Sequence, residues 1–390
     1  MQEYDSYWRQ ALENADVTRR LRRLRSVQRL GAGKIRFGEG KILTDFSSND
    51  YLGLSHHPAL LQAAGDYAER FGAGAGGSRL VSGNLAPLEQ IEHKLSQGKR
   101  TEAALVFVSG AQANLTLLPA LLDARVLGKE PLVYADRLNH ASLIQGCIAA
   151  GVRQNRFRHN DMEHLRDLLV RDAAKKAPRF IVTESVFSMD GDVPDLVALR
   201  ELADQFGAFL YIDEAHATGV LGTDGFGLGC GLNNALVMGT FSKGLGGFGA
   251  YVAGSEMLRN YLINRCGGII YATGLPPAVL GTMNAALDLI PSMETEREHL
   301  VAMATHLRKR LQQAGLNTGA STTHIVPLIL GDEEHALSLA SALVDDGFYA
   351  VAIRPPTVPP GTSRLRLAVS ACHTREDIDR LADAITRRIQ

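Results

Sequence analysis

A chain of 390 residues is long enough for one large domain and a smaller one. With a formal net charge of −1 it offers no bulk attraction for nucleic acid or an acidic membrane, and neither is expected as a partner. Cys147, Cys230, Cys266 and Cys372 lie far apart, without CxxC or Cys/His ligand spacing, which suits reduced thiols in the cytoplasm and suggests no metal site. No apolar run nears the roughly 20 residues of a membrane span, and the opening MQEYDSYWRQALENAD lacks the apolar core of a signal peptide.

In chain order, residues 1–30 read as an amphipathic helix ending in the arginine-rich RRLRRLRSVQR. Such a run is a solvated helix face, or a lure for an acidic acyl carrier or an acyl chain ending in a carboxylate. A short strand-like ribbon follows and ends in Thr44-Asp-Phe-Ser-Ser-Asn-Asp-Tyr-Leu-Gly53. Beyond residue 50, helix and strand signals alternate. Buried-strand runs are expected at 104–109, 132–136, 179–185, 209–215 and 235–242, with helices over 161–174 and 195–206 among the connections. That alternation predicts a parallel sheet covered by helices on both faces. One run must break the pattern. Only the glycine-rich 244–248 separates the 235–242 strand from the apolar run 249–254, too short for a parallel crossover, so that run is expected to pair antiparallel. From Pro277 a helix-rich stretch leads to strands at 324–330, 349–353 and 363–369 and helices at 333–345 and 374–389. The expected organisation is an arm over 1–47, a large α/β domain over 48–285 and a small α+β domain over 286–390.

The centre of the chain is 209–249, FLYIDEAHATG followed after a glycine-rich bridge by ALVMGTFSKGLGGFG. Two apolar runs end there in Asp213-Glu-Ala-His216 and in Thr240-Phe-Ser242-Lys243. In parallel α/β sheets ligands bind beyond the carboxyl ends of strands. A half-desolvated lysine among small residues can be neutral and form a Schiff base, and an acid behind it is what a pyridinium nitrogen requires. The ordered pair points to pyridoxal phosphate (PLP), held by Lys243, with Asp213 on the ring nitrogen and His216 and Ser242 beside them. Gly72–Gly77 and Gly244–Gly249 both spell GxGxxG. Neither sits between a strand and a helix, so neither is a dinucleotide fingerprint.

Other motifs fit around that pair. Val108-Ser-Gly110-Ala111-Gln-Ala-Asn lies where a strand turns into a helix, and the N–H groups of Gly110 and Ala111 at such a helix start suit a phosphate. His140, in DRLNHAS, follows another strand end and is either a helix cap or a flat partner for a pyridine ring. Ser188 lies in the polar loop of ESVFSMDGD. Ser363-Arg364-Leu-Arg366-Leu alternates, so one guanidinium can turn inward to fork a carboxylate, or both can face water. The preceding RPPTVPP is rigid and helix-free.

From FSSNDYLGL at residue 46 to IDRL at 378, through DRLNHAS, VFSMDGD, DEAHATG and TFSKGLGG, the chain resembles the PLP-dependent α-oxoamine synthases of fold type I. The resemblance implies an aspartate-aminotransferase-like α/β fold, with a mostly parallel central sheet carrying one antiparallel strand and a smaller α+β C-terminal domain. It also implies a cytoplasmic homodimer with shared active sites. AIRPPTVPPGTSRLRL is more similar to the branch that joins L-alanine to a pimeloyl thioester in biotin biosynthesis than to branches using glycine and a short acyl-CoA. By the resemblance, Lys243, His140, Asp213 and His216 are catalytic. His216 and Ser188 take the cofactor's phenolic oxygen, His140 stacks on its ring, and Gly110, Ala111, Thr240 and a partner-supplied Thr273 take its phosphate. Asn49 and Arg366 hold the amino acid's carboxylate, and Thr357 and Arg22 contact substrate, with Arg19, Arg20 and Arg23 as alternatives to Arg22. Whether the acyl group arrives on CoA or on an acyl carrier protein stays open.

Overall fold

A computed structural model describes residues 2–37 and 39–389; residues 1 and 390, which bound the expected arm and C-terminal domain, lie outside the described residues, as does Gly38. In chain order the strands are β1 (Gln28–Gly31), β2 (Lys34–Arg36), β3 (Ile42–Asp45), β4 (Ala103–Phe107), β5 (Leu132–Asp136), β6 (Gln154–Phe157), β7 (Arg179–Glu184), β8 (Ala208–Asp213), β9 (Ala235–Thr240), β10 (Ala250–Gly254), β11 (Ile325–Gly331), β12 (Phe348–Tyr349), β13 (Val351–Ile353) and β14 (Ser363–Ala368). They fall in two compact units, one made of 49–188 and 192–299, the other of 1–48, 189–191 and 300–390.

In the larger unit a seven-stranded sheet runs in the order β4-β10-β9-β8-β7-β5-β6. All its strands are parallel except β10, which pairs antiparallel with both β9 and β4. The short lysine-bearing connection forces that reversal, as expected. Side chains alternate between faces along each strand. Tyr211 joins the cluster of Leu117, Leu118 and Leu143 on one side. Its neighbours Leu210 and Ile212 join Leu165, Leu169, Leu199 and Leu202 on the other. Two helices on the second face start where acids cap them: Asp161 Oδ1 accepts from His164 N at 2.8 Å, and Asp195 Oδ1 from Ala198 N at 3.0 Å. Strand β6 escaped the sequence reading because QNRF is a mostly polar edge strand with only Phe157 buried.

Register sets the level of the strand ends. Glu184 faces Asp213 across β7 and β8, Asp213 faces Met238 across β8 and β9, and Thr240 faces Ala250. The turn after Asp213 is pinned from behind. Glu214 is fully buried, accepts from Leu228 N and Gly229 N at 2.7 Å each, and pairs with the equally buried Lys99. Lys99 also lies 5.5 Å from the centre of the Tyr251 ring.

The smaller unit holds two sheets, β1-β2-β3-β12 and β11-β14-β13. The single strand expected at 349–353 is in fact two. Phe46 N takes the Tyr349 carbonyl at 2.8 Å, where pairing with the ribbon ends, and Val351 then starts pairing with Arg366. The helix expected over 1–30 also stops early, spanning Gln2–Val17. Arg19 takes a left-handed φ of 55°, and Arg20 N closes the turn on Ala15 O at 2.7 Å, so the arginine-rich segment leaves the helix. Among the described residues no helix is long and apolar enough to cross a membrane.

Replacing Lys99 by Met leaves the buried Glu214 carboxylate without its cation. The variant is expected to lose about 3–5 kcal/mol, read as a lower urea midpoint at unchanged slope. Lys99→Met with Glu214→Gln should lose less.

Candidate active site

Above the carboxyl ends of β4, β5, β7, β8 and β9 the larger unit holds a cavity of about 270 Å³. Ser109, Gly110, Ala111, His140, Glu184, Asp213, His216, Thr240, Ser242 and Lys243 all line it. Eight of the residues expected at the cofactor, spread over more than 130 positions of sequence, therefore share one wall.

At the floor, Asp213 is held on both oxygens. Asn114 Nδ2 donates to Oδ2 at 2.8 Å and Ala215 N to Oδ1 at 2.9 Å. Tyr211 OH donates to Asn114 Oδ1 at 2.6 Å, which settles which way that amide points. At one end the helix Gly110–Leu121 begins. Ser109 Oγ accepts from Gln112 N at 3.3 Å and Ser109 O from Ala113 N at 2.9 Å, so the leading amides of Gly110 and Ala111 are the ones turned to the cavity. A Cβ on Gly110 would meet only the Met238 side chain, at 3.7 Å. Protein packing does not require a glycine there. Thr240 Oγ1 donates to Gly249 O at 2.8 Å and lies 2.7 Å from Ser242 Oγ, which therefore donates to it.

His140 answers to both of its readings. Its Nδ1 caps the helix Ala141–Ala149 by accepting from Ser142 N at 3.2 Å, and the ring still lines the cavity. Burial, opposed by the Asp213 charge and aided by Lys243, holds its pKa below the ordinary imidazole value. A neutral ring is the form that lies against a pyridinium without charge repulsion. Beneath it, Glu184 Oε1 accepts from His140 N at 2.5 Å. Burial and the neighbouring Asp213 charge push Glu184 well above the usual carboxylate range.

Lys243 Nζ lies 2.7 Å from His216 Nε2, and His216 Nδ1 lies 2.6 Å from the hydroxyl of the fully buried Tyr51. Tyr51 OH in turn donates to Asn49 Oδ1 at 3.0 Å. Ser188 is buried in the turn after β7. That turn is clamped by His159, which bridges Asp136 Oδ1 at 3.0 Å and Asp192 Oδ2 at 2.9 Å and meets Phe187 edge-on at 4.4 Å.

Thr273 does not line this cavity; within its own chain it bridges Ser78. Arg366 lies in β14 of the smaller unit, all six residues of which are buried. The alternation does not leave one arginine in water: Arg364 donates to Asp190 Oδ1 at 2.7 Å and to Met189 O at 3.1 Å. Arg22, Arg23 and Thr357 line a separate cavity of about 640 Å³ in the smaller unit, with Leu21, Val351, Ile353 and Arg354. Burial and the nearby Arg22 charge lower the Arg354 pKa. Arg19 and Arg20 are engaged elsewhere, by Glu334 and Glu333.

The sequence reading assigned no role to Tyr51, Asn114, His159 or Glu184. Tyr51 and Glu184 sit inside motifs that were read for other residues. Asn114 and His159 take their meaning from strand order, which no local pattern carries.

The residues fit PLP. An amine, a fixed acid, a neutral flat imidazole and two helix-start amides are the donor set that an aldehyde, a pyridine nitrogen, a ring face and a phosphate require. Comparison with known proteins agrees. Residues 41–385 match the model of aminotransferase class I and II. An 8-amino-7-oxononanoate synthase of Gluconacetobacter diazotrophicus is 53% identical over 99% of this chain and 97% of that protein. A lysine-to-alanine variant of serine palmitoyltransferase from S. paucimobilis with a bound PLP–myriocin aldimine superposes with a TM-score of 0.87 at 29% identity, over 93% of this chain and 92% of the other. An 8-amino-7-oxononanoate synthase from Francisella tularensis superposes with a TM-score of 0.76 at 25% identity, over 89% of this chain and 98% of that one.

His159 yields a pH prediction. Its two acid partners raise its pKa from 6.5 to about 10 against the effect of burial. The stability this adds is complete below the unfolded value, declines as pH rises beyond it and is gone above the folded value. The gap in urea midpoint between wild type and His159→Gln should therefore be wide at pH 6 and narrow at pH 9.

Proposed function

Because the chain belongs to the class I and II aminotransferase family and is a PLP-dependent α-oxoamine synthase, we propose that it condenses L-alanine with a pimeloyl thioester. The products are 8-amino-7-oxononanoate, carbon dioxide and the free thiol of the acyl carrier. The observation that carries this reading is the meeting of Lys243, His216 and Asp213 in one cavity, in a chain 53% identical to a protein of that name.

PLP, when bound, supplies an electron sink for the pair released at the amino acid's Cα. The chain's own residues do the rest. Lys243 holds the cofactor and then serves as the base that takes the Cα proton. Asp213, fixed by Asn114, keeps a negative charge where a protonated ring nitrogen needs it. His140 packs on the ring as a neutral imidazole, and His216 and Ser188 serve the phenolic oxygen. Gly110 and Ala111 offer their backbone amides to the phosphate, where fixed donors cost no reorganisation, and Thr240 and Ser242 line the same end of the cavity. Asn49 orients the amino acid through its carboxylate. Arg366, Arg22 and Thr357, in the smaller unit, keep the substrate-binding roles that the family resemblance gives them. Of the arginines considered beside Arg22, Arg19 and Arg20 are already engaged with acids, which leaves Arg22 and Arg23, both of which line the cavity of the smaller unit.

The enzyme is further proposed to act as a cytoplasmic homodimer in which Thr273 serves the partner's phosphate site. Thr273 stands apart from its own chain's cavity, beside Tyr271, whose ring is 85% exposed. Either pimeloyl-CoA or a pimeloyl carrier protein suits the exposed arginine-rich segment, since both are acidic.

Release of labelled carbon dioxide from L-alanine, measured with each thioester, should exceed release from glycine. Lys243→Ala should lose the cofactor's bound absorbance and lower turnover by at least about 10²-fold. Turnover retained in that variant, or a preference for glycine with a short acyl-CoA, contradicts the reading.

A further inference from the structure

Tyr51 ties the lysine to the amide assigned to the carboxylate through three hydrogen-bonded contacts, and the single hydroxyl proton of Tyr51 sets the direction of the contact with His216. Tyr51 has one hydroxyl proton, and it goes to Asn49 Oδ1 at 3.0 Å. His216 Nδ1, 2.6 Å from the same oxygen, must then be the donor in that contact. A neutral imidazole with its proton on Nδ1 presents a lone pair at Nε2, and there Lys243 Nζ donates at 2.7 Å. That lone pair suits an N–H of Lys243, so the lysine contact is compatible with the tautomer that the tyrosine end requires.

Burial makes this train costly to break. Tyr51 is fully buried and His216 is 5% exposed, so neither can exchange its partner freely for water. With Oδ1 of Asn49 occupied by the tyrosine proton, the Nδ2 hydrogens are the donors left on that side chain. Only that orientation suits a carboxylate; the flipped amide would turn its oxygen toward it.

We propose that Tyr51 is a positioning residue that, in the cofactor-free chain, fixes the tautomer of His216 and the amide orientation of Asn49, so that the lysine and the carboxylate site are set by one train of hydrogen bonds before the cofactor arrives. The part concerning the carboxylate rests on the reading that the substrate is an amino acid.

The test uses Tyr51→Phe, which keeps the ring and deletes the hydroxyl, with a thermal melt to show that the variant folds. Nitrogen-15 NMR of the cofactor-free chain, with His216→Gln to identify the signal, reads the tautomer directly. The wild type should show a neutral His216 protonated on Nδ1, and Tyr51→Phe should lose that signature. In the PLP-loaded enzymes, titration of the cofactor's absorbance with L-alanine should show binding weakened about tenfold in Tyr51→Phe, as expected for a lost buried hydrogen bond. KM for L-alanine should rise by a larger factor than kcat falls. A wild-type His216 protonated on Nε2, or L-alanine binding unchanged by Tyr51→Phe, overturns the proposal. Wild-type enzyme whose absorbance ignores L-alanine would instead strike the amino-acid reading, and the tautomer would then decide the train on its own.

Discussion

The site depends on the register of three parallel strands. Pairing β7 with β8 and β8 with β9 brings Glu184, Asp213 and the approach to Thr240 to one level, and a slip of one residue would turn Asp213 into the helix layer. Nothing in the cavity could compensate for that, since the acid's partner Asn114 is set by a helix packed on the same face. The antiparallel β10 completes the arrangement. It returns the chain immediately after Lys243, keeping the lysine loop short and tied at both ends to the sheet. Gly246 allows the tight path: its φ is +64°, and a Cβ there would strike the Leu54 backbone at 2.5 Å.

Protonation is arranged as carefully as position. Two carboxyl groups stand side by side at the ends of β7 and β8, and burial with the neighbouring Asp213 charge pushes the Glu184 carboxyl well above the usual range. The hydrogen bond from His140 N to Glu184 holds the ring in place, while desolvation keeps that ring neutral. Behind the site, charge is used differently. The Lys99–Glu214 pair and the His159 bridge are buried ion contacts that lock the turns from which His216 and Ser188 project. Such pairs are worth more for holding a conformation than for net stability.

Much of this was legible in the chain, for physical reasons that can be named. Strands buried on both faces read as continuous apolar runs, so the central sheet and its reversed strand followed from run lengths and one short connection. The cofactor lysine and its acid were legible because each ends such a run. Less legible was whatever depends on neighbours distant in sequence. Asn114 looks like any polar residue in a helix until β8 is placed beside it. Residues 349–353 look like one strand because a change of partner leaves no mark on composition. The arginine-rich segment looked helical by pattern, but a left-handed turn at Arg19 ends the helix before it.

The central claim, that one lysine carries the cofactor, is open to direct chemical reading. Holoenzyme reduced with borohydride and digested should yield, by mass spectrometry, a single pyridoxyl-bearing peptide containing Lys243. A label on any other lysine, or none after reduction, would contradict the account.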